Sequence, residues 1–182
     1  IAAKQKESKA IDKKIKKMIN DAIAAENKKN AAKKKAAATA SGNTAPVKTA
    51  PVSSTKIELT PEGKLSSDSF KANKGQLPWP TEKGYISTGY GDQPHPDYSN
   101  IVIHNSGIDI TTDSGSSARA VHGDFFTAYS NLSSVSVSVG NKKTKKQTLG
   151  KIKTNAKGNS VLKFVINQNT TVLNPKSWLK PK

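Results

Sequence analysis

The stretch Ile-His-Asn-Ser-Gly-Ile-Asp-Ile, residues 103–110, holds the side chains best suited to chemistry in this chain. An apolar run from Asn100 to Ile103 enters a polar turn and then an Ile-Asp-Ile triplet, much as hydrolases often deliver metal ligands to a sheet edge. Asp109 offers a carboxylate, Asn105 an amide and His104 an imidazole. Catalytic zinc needs three N, O or S ligands and an open water position. His95 sits between two prolines and His122 beside a glycine, so the three histidines lack ligand spacing. His104 adjoins Asn105, and one step along an extended segment turns a side chain to the opposite face. The histidines therefore read as turn or solvent residues.

Short strands with turn punctuation must position these groups. The region 57–182 is predicted as a compact antiparallel β domain. Strand candidates are Ile101–Ile103, Ala118–Val121, Phe125–Leu132 and Thr148–Ile152. Val-Ser-Val-Ser-Val places Val135, Val137 and Val139 on one face. In Val-Leu-Lys-Phe-Val-Ile, residues Leu162, Phe164 and Ile166 face one way and Val161, Lys163 and Val165 the other. Trp178 and Leu179 would dock as a terminal plug.

Residues 1–38 contain neither Gly nor Pro and are rich in Ala and Lys, so a helix is predicted there. Ile11, Ile15, Met18, Ala22 and Ala25 form a heptad seam, widened by Ile19 and Ile23. The favoured reading is the last arm of a longer coiled coil; the alternative is an amphipathic helix packing on its own domain. Residues 39–56, small and polar with a repeated Thr-Ala-Pro, read as a flexible linker.

The formal charge is +17, and Arg119 is the only arginine. From Phe125 to Lys182 there is no Asp or Glu. Such a field favours anionic partners. Nucleic-acid readers lean on arginine forks and stacking aromatics, which are scarce here, so nucleic acid is not expected. The absence of cysteine excludes disulfides. The chain starts at Ile1 and shows no signal or membrane run, so it is expected to be a piece of a longer exported precursor.

Seven motifs occur in one order: Leu-Pro-Trp-Pro (77–80), residues 84–96, Asn-Ser-Gly-Ile-Asp-Ile (105–110), residues 118–124, Tyr-Ser-Asn-Leu-Ser (129–133), Val-Leu-Lys-Phe (161–164) and residues 174–179. Together they resemble the LytM, or lysostaphin-type, zinc metallopeptidase domain. They resemble more closely its degenerate form in murein hydrolase activators of the EnvC family. In an active member, His-x-Gly-x-Asp supplies two zinc ligands, His-x-His a third ligand and a catalytic histidine, and Tyr-x-His-Leu-Ser another catalytic histidine. Carried over, these positions are Asn105 and Asp109, then Val161 and Lys163, then Asn131. Only Asp109 keeps its type. An amide is a poor zinc ligand, valine has no donor and an ammonium repels the cation. No metal, cofactor or catalytic residue is therefore expected.

The resemblance implies a non-catalytic activator of peptidoglycan amidases in cell-wall remodelling and daughter-cell separation. It would act in the periplasm, bind an N-acetylmuramoyl-L-alanine amidase through the metal-free groove, and receive its signal from an FtsE–FtsX-type membrane complex through the coiled coil. Candidate groove residues are Asn105, Asp109, Arg119, Tyr129, Asn131 and Lys163. Alternatives are a zinc endopeptidase with an altered site and a basic peptidoglycan-binding module. Lys163 is expected to replace zinc as the charge partner of Asp109, against the alternative of a lysine snorkelling to the surface. Two strands that relatives carry before Tyr-Ser-Asn-Leu-Ser have no counterpart, so residues are expected to be missing between Asp124 and Phe125.

Overall fold

The computed structural model describes residues 2–40, 68, 70–95, 98–121, 125–138 and 144–182; the side chains of 2–5, 7–8 and 33–40 are not included. The linker from residue 41 onward, His122, Val139 and the Asp124–Phe125 junction lie outside the described residues. The chain is mainly β with one long helix, α1 (Ala2–Ala40).

All the named strands pair antiparallel, so each can leave by a short turn. Strands β1 (Tyr85–Thr88), β4 (Ile108–Thr112), β9 (Ser160–Gln168), β10 (Thr171–Leu173) and β6 (Phe126–Ser130) make the central sheet, with β4 and β6 both on β9. A ribbon of β2 (Gly91–His95) and β3 (Tyr98–Asn105) adjoins it. A small sheet has the order β5 (Ser117–Arg119), β8 (Thr148–Ile152), β7 (Leu132–Val135).

One face of the central sheet carries the core. Ile108, Ile110, Leu162, Phe164 and Ile166 are fully buried and are joined by Phe70, Leu77 and Val121. Phe70 stacks on Phe125 at 4.2 Å between centroids, and Trp178 lies 4.9 Å from Phe70. The terminal plug forms as expected: the Trp178 carbonyl accepts from Gly75 N and Leu77 N, and Leu77 O accepts from Lys180 N.

The alternating face of β9 departs from expectation. Val165 and Asn167 are buried as deeply as the core residues, and Lys163 is 8% exposed. The cover is α1, whose Ile11 and Ile15 are half-buried and whose Ile19 and Ile23 are buried. The covered residues step by four, which tilts the stripe across the axis. The predicted heptad seam matches it only in part, since Met18 on that seam is 61% exposed. The helix thus packs on its own domain.

Two strand boundaries also shift. The run predicted as Phe125–Leu132 is two strands, broken by a bend at Asn131, whose φ is 69°. An amide side chain tolerates that left-handed region better than most. On the valine face expected after Leu132, Val135 is 64% exposed and Val137 half-buried. The strand expected at Ala118–Val121 is instead Ser117–Arg119.

Gly107 lets β4 meet β9. A Cβ there would stand 2.4 Å from the Phe164 carbonyl oxygen and 2.7 Å from Val165 Cγ2. Gly107→Ala is expected to cost about 1–3 kcal/mol, because the obstacle is backbone and cannot rotate away. Urea unfolding measures it, and an unchanged midpoint would refute the close approach.

Candidate functional site

Asn105, last residue of β3, has its side chain beside the turn it begins. Its Oδ1 accepts from Gly107 N at 3.2 Å, an Asx turn that starts β4. The residue is 4% exposed, and its Nδ2 is buried without a hydrogen bond of good geometry.

Two residues on, β4 raises Asp109 directly opposite Lys163 of β9. Burial pushes the Asp109 carboxyl above its ordinary value; the Lys163 charge, then Thr88 and Asn105, draw it partly back, and Asp12 pushes it up. With no good bond from Nδ2, the pull of Asn105 is that of a nearby dipole.

Besides Asp109, the partner expected from the sequence and its register neighbour, Lys163 meets a second carboxylate. Its Nζ lies 2.9 Å from Asp12 Oδ1 on α1, and the Ser106 hydroxyl donates to the same oxygen at 2.5 Å. The side chains are 10% and 27% exposed, so Lys163 neither snorkels to solvent nor is fully enclosed. The helix supplies a carboxylate to Lys163, and the lysine charge also lowers the pKa of Asp109.

The other predicted groove residues divide. Asn131 Nδ2 donates to the Val161 carbonyl at 2.6 Å, so those two positions meet. The Tyr129 hydroxyl accepts from Val121 N at 3.0 Å while its ring packs 5.3 Å from Phe164; burial pushes the phenol up. Arg119 stands apart, its guanidinium on Glu82 and its backbone N–H on Pro80 O. His104 pairs with Asp92 at 2.6 Å on the exposed side of the ribbon, opposite buried Asn105. His95 packs against Tyr98.

Helix α1 lies over this face and leaves a cavity on either side. One, of ≈ 520 Å³, is lined by Ile11, Ile15 and Ile19, by Phe126 and Tyr129 of β6 and by Asn131 just beyond it. The other, of ≈ 280 Å³, holds Asp12, Lys13, Ser106, Val165 and Asn167.

Sequence reasoning missed Asp12, Ser106 and Thr88. Asp12 did leave a signal: an acid between Ile11 and Ile15, on the flank of the apolar stripe, needs a partner when that stripe is covered.

The zinc ligands of an active LytM domain do not fit these side chains. Asn105 is used up in its turn, Lys163 brings a positive charge held by Asp12, and Asp109 is left as the sole carboxylate of the predicted five positions.

No family model and no curated protein matches the chain. Two crystal structures of Csd3 from Helicobacter pylori, orthorhombic and hexagonal, are similar over 60% of this chain, at 20% and 18% identity and TM-scores of 0.41 and 0.40. The chain spans 38% and 36% of their lengths, less than two fifths of either.

Proposed function

We propose that this chain is a degenerate LytM-type domain of the EnvC-like activator class, without hydrolytic activity of its own. It switches on an N-acetylmuramoyl-L-alanine amidase that cuts peptidoglycan in the periplasm during daughter-cell separation. The supporting observation is the fate of the metal positions. An Asx turn, a Lys163–Asp12 ion pair and an Asn131–Val161 bond occupy them, and among the described residues no histidine is paired with Asp109. What is left is a sheet face of apolar and amide groups wide enough to seat a helix. In this reading the amidase docks on the β6–β9 face once α1 has moved, and α1 carries the signal from an FtsE–FtsX-type complex.

The test mixes the chain with purified amidase and dye-labelled sacculi. Dye release should exceed the sum of the two proteins alone, and a chain lacking residues 1–40 should stimulate more than the full chain. Stoichiometric zinc, with dye release by the chain alone that Asp109→Ala abolishes, would instead make it an endopeptidase with an altered centre.

A further inference from the structure

Helix α1 covers the sheet with one acid turned inward. Between Lys9 and Met18 it carries five lysines, and Asp12 is the only acid. Lys9, Lys13, Lys14, Lys16 and Lys17 are all exposed, while Asp12 is half-buried beside Ile11 and Ile15. Two donors of the sheet converge on a single oxygen of that carboxylate: the Lys163 ammonium at 2.9 Å and the Ser106 hydroxyl at 2.5 Å. They come from different elements, Ser106 from the β3–β4 turn and Lys163 from β9. The face therefore holds a two-pronged receptor for a carboxylate, built by the sheet and not by the helix that occupies it.

Beside this receptor the sheet offers an apolar floor. Ile11, Ile15 and Ile19 line one cavity with Phe126 and Tyr129, and Ile15 lines the other with Val165 and Val172. The three isoleucines step by four, and Asp12 directly follows the first. A helix laid here in place of α1 thus meets one charge-selective point and one apolar line. A neutral residue at the Asp12 position would take away one of the two carboxylates that Lys163 meets, and the acceptor of the Ser106 hydroxyl. A lysine there would bring two ammonium groups together under cover, which costs more. The exposed lysines of α1 make no such demand, since water reaches them.

Resting on the activator reading, we propose that the partner segment that displaces α1 is a helix of the same pattern. It carries an acid directly after an apolar residue, and further apolar residues three and seven places beyond the acid. Lys163 and Ser106 select it by that carboxylate. Losing one member of a covered, hydrogen-bonded charge pair should weaken such a contact by about tenfold or more.

The test uses the full chain carrying D12K/I15D, which leaves the sheet intact and spoils the helix that covers it. The D12N/I15A chain serves as a second acceptor, since neither change introduces a charge. A labelled peptide of residues 9–28 should bind in fluorescence anisotropy, and its D12E form comparably. The D12N peptide should bind about tenfold more weakly or worse, and the D12K peptide weakest. With Lys163→Glu added to the acceptor the order should invert, the D12K peptide becoming the tightest. Equal binding of the D12N and unaltered peptides, an order that Lys163→Glu leaves standing, or no binding to either folded acceptor would each overturn the proposal. So would a dimer of the unaltered chain that Lys163→Glu dissolves, which would put the α1 of a second copy on the face instead. No amidase enters these readouts, so a failure to stimulate one would sink the activator reading and leave the carboxylate preference standing.

Discussion

Lys163→Met is expected to destabilise the folded chain by about 2–4 kcal/mol and to loosen α1 from the sheet. Removing one partner of a largely buried ion pair strands the other charge, and the loss is then set by desolvation rather than by the attraction itself. Two carboxyls are stranded here: Asp12, which loses its 2.9 Å contact, and Asp109, which loses the largest influence holding its pKa down. The 27% exposure of the Asp12 side chain places the cost toward the lower end, since water can reach it. Adding Asp12→Leu should recover much of the loss, and the double-mutant cycle should give a coupling of about 1–3 kcal/mol.

The same substitution has a pH signature. The folded pKa of Asp109 lies above 3.8, so between 3.8 and the raised value the folded chain keeps a proton that the unfolded chain has released. Stability therefore falls as pH rises through that window. Lys163→Met moves the upper end of the window higher, so its penalty should be larger at neutral pH than near pH ~3.5, where both states are largely protonated. Urea unfolding at the two pH values checks this. An equal loss at both would mean that Lys163 acts by packing alone.

Asn105→His combined with Lys163→His is expected to turn a chain that retains no zinc into one that retains about one ion per molecule after dialysis. The backbone supports this because Asp109 and Lys163 are register partners, and the Asn105 side chain already acts on the Asp109 carboxyl. Side chains directly opposite on antiparallel strands start about 5 Å apart, close enough to share a metal with bonds near 2 Å. Three protein ligands and one open position would result. The change also strands Asp12, as Lys163→Met does, and removes the bond from Gly107 N, costing roughly 3–5 kcal/mol before the metal is added. Metal binding should return more than that, so zinc should raise the melting temperature of the double variant and leave the unaltered chain unmoved. A folded double variant that stays zinc-free would show that the three positions do not converge.

Much of the β architecture was legible because it rests on local rules. The Leu162–Phe164–Ile166 alternation identified the core face of β9, and Asn-Ser-Gly-Ile-Asp announced both the turn and the strand that follows it. Each depends on residues a few places apart. The break at Asn131 was less legible, since an apolar-polar run continues straight through it and only its positive φ marks the end of β6. The heptad on α1 located the buried stripe only in part, for a related reason. Periodicity lists which residues are apolar, but the partner surface selects which of two adjacent stripes is buried, and the sheet selected the line through Ile19 and Ile23.

For the site, residue types alone argued against zinc at the five positions: an amide is a poor ligand, a valine has no donor and an ammonium repels the cation. Which other carboxylate answers Lys163 was a different kind of question. Asp109 was the natural candidate because strand pairing puts it opposite, but an ion pair also forms wherever side-chain tips meet. Asp12, 151 residues away in sequence, is brought there by the packing of a helix. Composition and spacing govern what a group can do; only the folded chain decides what it finds within reach, because distance in space is set by the sum of all the packing rather than by any one segment.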